Sequence, residues 1–338
     1  MIKRKILSAL LCSALLIGCL GACGQSGESP AVDSSSVSLK EDSSSDKDAS
    51  ITIVSTIFPQ YDWVREIIKD SPAEIETTLL LKDGVDLHSY EPTAEDIMKI
   101  AMCDVFIYVG GESDKWVEDA LSEATNKNMV AINLLDELGD SAKEEVIVPG
   151  MEEEEGEEES EYDEHVWLSL KNASILSQVI EEAIAQKDPA NADLYAANLT
   201  SYKEKIDALD KEFADVAENG TVKTLLFGDR FPFLYFAEDY GLDYYAAFAG
   251  CSAETEASFE TIIFLAEKTN ELGLKSICTI ENSDQKIAAT IRDNTETKDQ
   301  EILVFDSLQS IRSSDIENGV SYLSLMENNL DVLKKALG

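Results

Sequence analysis

Short β-branched or aromatic runs alternate with amphipathic stretches of helical period from Ile51 almost to the C-terminus, and this alternation constrains the fold more than any other feature of the chain. ITIVSTI (51–57), EIETTLLL (74–81), DVFIYVG (104–110) and MVAINLL (129–135) read as strands. Helical segments separate them: one opened by Pro59, then TAEDIMKIAMC with Thr93 as N-cap, then VEDALSEATNK. Such spacing predicts a parallel sheet with right-handed crossovers. The same pattern returns with VKTLLFG, LDYYAAFAG, KSICTIE and EILVFDS, interleaved with helices and closed by GVSYLSLMENNLDVLKKAL. Between the two rounds, LKNASILSQVIEEAIAQKD reads as a helix stopped by Pro189. Residues 190–219 then run for 30 residues without Gly or Pro. That stretch reads as a rigid spine between two lobes, or as a helical hairpin broken near Thr200. The predicted fold is α/β: two Rossmann-like lobes with parallel sheets, 50–187 and 220–338, joined by one long spine helix over 188–219.

The N-terminus carries a different signal. Lys3, Arg4 and Lys5 precede the apolar run ILSALLCSALLIGCLGAC, which is short for a membrane span and has the layout of a secretory signal. LGAC, ending at Cys23, looks like a bacterial lipobox, with LIGC at Cys19 as a second possible site. Residues 1–23 are therefore expected to be a lipoprotein signal peptide whose lipid-modified cysteine is Cys23. Residues 24–49 are Ser- and Asp-rich and too polar to offset chain entropy by burial, so a flexible tether is expected there.

With 67 acidic against 27 basic residues the formal charge is −40, which excludes a nucleic-acid partner and suits attraction of a cation. Nine of the glutamates fall in MEEEEGEEESEYDEH, 151–165, a self-repelling block that reads as an acidic loop over 151–164. It serves either solubility or the collection of cations. Beyond the signal, Cys103, Cys251 and Cys278 form no CxxC pattern. No zinc–thiolate site is expected from them, and Cys251 and Cys278 could pair outside the cell.

The chain has only two histidines, His88 in GVDLHSYEPT and His165 in YDEHVWLSL. In open α/β sheets ligands collect beyond the carboxyl ends of strands. DLHSYEP, the turn at Asp163–His165 and FDSLQS all fall at such loops, so one interlobe cleft could hold both histidines. Two imidazoles with carboxylates suit zinc, and manganese as oxygen ligands increase. Asp163, Glu164 or Glu91 could hold the second ring nitrogen of a ligating histidine, while Tyr90 and Trp167 would shield the site from water.

VSTIFPQYDWVREI, GVDLHSYEPTAEDI, CDVFIYVGGESDKWVEDAL, DEHVWLSLKNA, YFAEDYGL and CSAETEASF together resemble the zinc/manganese class of solute-binding lipoproteins of bacterial ABC transporters. The resemblance covers essentially the whole chain after the tether. It implies one metal held between two lobes on a spine helix, small lobe movements, and delivery to a membrane permease and its ATPase. Position by position it implies His88 and His165 as ligands and Asp306 as the carboxylate that closes the site from the C-terminal lobe. At the position before YFAEDYGL where the family has His or Glu, this chain has Arg230, which cannot ligate a cation. The fourth ligand is then Asp229 by a one-residue shift, Glu281, or water, and Arg230 is expected to pair with an acid and pin the lobe interface.

The function expected is that of a lipid-anchored, monomeric receptor on the extracytoplasmic face, not an enzyme, with Zn²⁺ as cargo and Mn²⁺ as the alternative. Two other classes compete. One is a metal-dependent hydrolase using the same histidines with Glu281 as base, although no HExxH motif is present. The other is a surface adhesin with an incidental metal site.

Overall fold

The computed structural model describes residues 50–152, 162–252 and 256–338. The proposed signal peptide, Cys23, the tether and most of the glutamate block (153–161) lie outside them. In the first lobe β1 (Ile51–Ser55), α1 (Phe58–Ile67), β2 (Ile75–Leu79), α2 (Ala94–Met102), β3 (Val105–Tyr108), α3 (Trp116–Ser122), β4 (Val130–Asn133) and the short α4 (Leu134–Leu138) follow one another. The strands form a parallel sheet in the order β2-β1-β3-β4, with Ile53 opposite Val105 and Val54 opposite Phe106. Central strands of a parallel sheet are covered on both faces, so β1 and β3 are apolar at consecutive positions, with Ile53, Val54, Val105, Phe106 and Ile107 all buried.

α5 (Leu170–Lys187) ends ahead of Pro189, and α6 (Ala192–Asn219) follows as one uninterrupted helix of 28 residues. Its buried residues, Tyr195, Leu199, Tyr202, Ile206, Leu209, Phe213 and Ala217, recur every three or four positions and make one apolar stripe. No break occurs at Thr200, whose Oγ1 donates to the Ala196 carbonyl within the helix and so leaves the backbone ladder intact.

The second lobe contains β5 (Thr224–Phe231), α7 (Leu234–Tyr240), β6 (Asp243–Ala249), α8 (Phe259–Leu272), β7 (Ser276–Ile280), α9 (Lys286–Asn294), β8 (Glu301–Phe305), α10 (Ser313–Glu317) and α11 (Tyr322–Leu337). Its sheet is again parallel, in the order β6-β5-β7-β8. β5 runs on past Gly228, where VKTLLFG was expected to end, through a register shift between Phe227 and Arg230. Glycine is needed at the shift because a Cβ there would lie 2.5 Å from Ala288 Cα of α9.

The apolar core is continuous from Ile53 and Trp63 through the stripe of α6 to Phe305 and Leu333. α11 adds a second tie between the lobes. The Tyr322 N–H donates to Asp62 Oδ2 at 2.8 Å, its hydroxyl donates to the Trp167 carbonyl at 2.7 Å, and its ring meets Trp63 edge-on. Asp62 is consequently buried, and burial raises its carboxyl to about 6 although the Tyr322 N–H and Arg65 oppose the shift. A folded-state value above the unfolded one means that the folded chain holds the extra proton, so stability is lost as pH rises from about 4 to about 6. A shift of about two pH units corresponds to roughly 3 kcal/mol. Asp62→Asn keeps an acceptor for Tyr322. It should gain on wild type in urea melts at pH 7 and show no gain near pH 4; parallel profiles for the two proteins would refute this account.

Candidate metal centre

His88 sits in the loop between β2 and α2, on a single 3₁₀ turn (Leu87–Ser89) that Leu87 anchors in the core. Asp86 Oδ1 caps that turn by accepting from the His88 N–H at 3.0 Å. His88 Nδ1 lies 2.9 Å from Ser113 Oγ and 3.5 Å from Glu164 Oε2. The loop after β3 delivers Ser113. There the Val109 and Gly110 N–H groups both donate to Asp114 Oδ2, and the Ser113 N–H donates to Glu164 Oε1. Gly111 turns this loop with φ at +81°, and a Cβ on it would fall 2.4 Å from Glu164 Oε1.

His165 is fully buried just ahead of the 3₁₀ turn Val166–Leu168 that opens α5. Asp163 Oδ1 accepts from its backbone N–H at 2.8 Å and stands 3.1 Å from its Nδ1. The Tyr235 hydroxyl donates to the Asp163 carbonyl and fixes the turn. The Trp167 ring covers the imidazole, with centroids 5.2 Å apart.

The two Nε2 atoms face each other at 3.1 Å. In the tautomer that places each Nδ1–H toward its own oxygen neighbour, both Nε2 atoms present lone pairs to the space between them. Two imidazoles on one tetrahedral zinc, at about 2.05 Å each, would hold their nitrogens about 3.3 Å apart. Burial and the neighbouring His165 push His88 down to about 3, so its ring stays neutral. Burial raises Glu164 to about 7.

A third donor joins the pair. Cys251 Sγ lies with ligand nitrogens of His88 and His165 in a group whose members are all within 4.8 Å of one another. A cysteine thus stands beside the two histidines, although the spacing of the cysteines led to no zinc–thiolate site being expected. The placement follows from the rule that located the histidines, since Cys251 comes just after β6 at the carboxyl edge of the second sheet. Its N–H donates to Glu145 Oε1 at 2.8 Å, and burial, reinforced by the Asp163, Glu145 and Glu164 carboxylates, raises its thiol. All three described cysteines are free, so Cys251 and Cys278 do not pair.

The remaining expected residues separate. Asp306 and Glu281 lie outside that group and beside each other; burial and then the Glu281 charge raise Asp306 to about 7. Asp306 Oδ1 accepts from the Leu308 N–H, and Glu281 accepts from both the N–H and the hydroxyl of Ser307. Asp229 is engaged with the Arg230 and Ile280 N–H groups, and Glu91 is exposed. The Arg230 guanidinium pairs with Asp86 of the first lobe at 2.7 Å. A cavity of about 480 Å³ opens there, lined by Asp86, His88, Arg230, Ser252 and Asp284 among others. Ser113 and Glu145, which hold His88 and Cys251, carry no sequence signal of their own.

Gly250 lies against the His165 ring. A Cβ on it would be 3.2 Å from His165 Nδ1 and 2.9 Å from the Phe231 carbonyl oxygen. Gly250→Ala should cost about 1–3 kcal/mol by overpacking and weaken metal binding through His165. An unchanged urea midpoint with unchanged affinity would show that this contact is slack.

The family model of the periplasmic zinc-uptake complex component A, ZnuA, matches residues 53–336. Among curated relatives, the zinc-binding lipoprotein AdcA of Streptococcus pneumoniae serotype 4 is 30% identical over 295 residues, covering 85% of this chain and 56% of its own length. This chain thus spans little more than half the length of the curated AdcA relatives it matches. The high-affinity zinc uptake system protein ZnuA of Bacillus subtilis is 29% identical over 310 residues, covering 90% of this chain and 92% of its own. Among solved structures, the Zn(II)-bound ZnuA-like domain of S. pneumoniae AdcA aligns with a TM-score of 0.67 at 28% identity, over 86% of this chain and 99% of that one. The metal-dependent lipoprotein YcdH of B. subtilis aligns with a TM-score of 0.70 at 27% identity, over 85% and 100%.

Proposed function

The chain belongs to the family of zinc-uptake complex component A, and we propose on that footing that it is the solute-binding component of an ABC importer, capturing Zn²⁺ outside the cell and handing it to a permease and its ATPase. The observation that carries the proposal is the facing pair of Nε2 atoms, each ring held from behind by oxygen acceptors. A cation is the ligand that satisfies two convergent lone pairs in a buried, acidic surrounding. His88 and His165 would hold it, and Asp306 and Glu281, which lie outside the group those histidines form, would have to approach to contribute a carboxylate. Zinc is favoured over manganese because nitrogen donors dominate the first contacts. Cys23 would anchor the protein by lipid to the extracytoplasmic face, in keeping with the lipoprotein name of the pneumococcal relative. No helix among the described residues is long and apolar enough to cross a membrane.

The hydrolase alternative needs Glu281 as general base, yet both of its oxygens accept from Ser307. Calorimetric titration of the chelator-stripped form lacking residues 1–23 tests the proposal. One tight, stoichiometric Zn²⁺ site that outranks Mn²⁺ is the expected result. Weak, multiple binding abolished by deleting 152–161 would mean that the glutamates alone attract cations, and the receptor reading would fail.

A further inference from the structure

We infer that Cys251 is itself a metal ligand, its sulfur joining His88 and His165 in a His₂Cys set that gives the receptor its preference for Zn²⁺ over Mn²⁺, an inference that rests on the metal-receptor reading above. A thiolate at about 2.3 Å and an imidazole at about 2.05 Å on one tetrahedral zinc stand about 3.6 Å apart. Cys251 Sγ is already within 4.8 Å of both histidines, so closure on the order of 1 Å completes the arrangement.

Three further features point the same way. Arg230 stands where the resemblance implies a ligand from the second lobe, but its guanidinium is turned to Asp86. β5 therefore supplies no donor there, while its parallel neighbour β6, with Phe248 opposite Arg230 and Ala249 opposite Phe231, ends two residues before Cys251. The segment is also held in place. Gly250 packs directly on the His165 ring, and Glu145 Oε1 accepts from the Cys251 N–H. Finally, Cys251 is in no disulfide; its sulfur meets the Glu145 carboxylate and the Glu164 backbone, contacts a cation can displace.

On binding, the S–H proton passes to buffer and the sulfur lone pair takes the cation. Zinc, a borderline-soft ion, accepts thiolate readily, whereas manganese favours oxygen donors. One thiolate beside two imidazoles thus weights the site toward zinc without a ligand at the position of Arg230.

The test uses residues 24–338, which keep the compact unit Lys47–Gly338 whole. Wild type, Cys251→Ser and Cys251→Ala are titrated with Co²⁺, Zn²⁺ and Mn²⁺. Wild type should show the intense near-ultraviolet band of thiolate-to-cobalt charge transfer, and both variants should lack it. Zn²⁺ affinity should fall about 100-fold in the variants and Mn²⁺ affinity by much less, so that the preference for zinc narrows. In wild type, bound Zn²⁺ should also protect Cys251 from iodoacetamide as read by mass spectrometry, a measurement that needs no variant to fold. Tight Zn²⁺ binding by wild type without the band, without protection and without loss in Cys251→Ala would overturn the inference and leave the receptor reading standing. Failure of wild type to bind Zn²⁺ tightly would overturn both.

Discussion

Replacing either histidine by alanine should lower Zn²⁺ affinity by two to three orders of magnitude and abolish the stabilisation that zinc confers on the fold. Zinc held by a full set of protein ligands is worth about 10–16 kcal/mol, so one ligand of four carries roughly 3–4 kcal/mol. At 1.4 kcal/mol per decade this is about a hundred- to a thousandfold. The two positions should not add. The Nε2 atoms are 3.1 Å apart and serve one point, so removing the second histidine after the first removes an interaction already broken.

The same variants separate ligation from packing. His165 is fully buried and His88 nearly so, and each alanine also leaves a gap that lowers stability with no metal present. His165→Gln keeps most of the volume and removes the aromatic nitrogen pair. Thermal melts in chelator should therefore place the glutamine variant close to wild type, while the added zinc that raises the wild-type midpoint leaves it unmoved. At a free concentration of 100 times the dissociation constant the lost shift is worth about 2.7 kcal/mol. A glutamine variant that binds zinc as tightly as wild type would remove His165 from the site.

How far this centre could be read beforehand depends on which residues announce themselves by pattern. β1 and β3 are buried on both faces, so their apolar runs stand out, and the stripe on α6 repeats without interruption from Tyr195 to Ala217. The loops holding His88 and His165 follow from the strand ends, because open parallel sheets gather ligands there. The extension of β5 was less visible, since a glycine inside a strand pattern signals an ending as readily as a bulge. The return of α11 onto the first lobe was invisible. Its amphipathic period says that one face is buried and not against which layer, and it is the hydrogen bonds of Tyr322 that decide. Cys251 gives no sign of its place for a related reason. A single cysteine has no spacing to read, and only the joining of two loops 86 residues apart brings it to His165.

Trp167→Ala should be the most damaging single change away from the ligands, costing about 3–5 kcal/mol. The side chain is fully buried, and an aromatic of this size removes on the order of 200 Å² from water. Its Nε1–H donates to the Ser307 carbonyl at 2.9 Å, and truncation leaves that buried acceptor unpaired. In a chain of this length each kcal/mol moves the melting point by about 2–4 °C, so the midpoint should drop by roughly 10 °C. The bond to Ser307 also gives the change a reach beyond stability. Ser307 follows Asp306 and is gripped by Glu281, so Trp167 ties the acidic pair of the second lobe to the turn that carries His165. Trp167→Phe restores most of the packing and none of the hydrogen bond, and should cost about 1–3 kcal/mol. Zinc affinity should follow the hydrogen bond more than the volume, falling about tenfold in both variants, within the range seen when the partners behind a metal ligand are removed. If the phenylalanine variant binds zinc as wild type does while the alanine variant binds it weakly, Trp167 acts by filling space alone, and Asp306 and Glu281 are positioned by their own lobe.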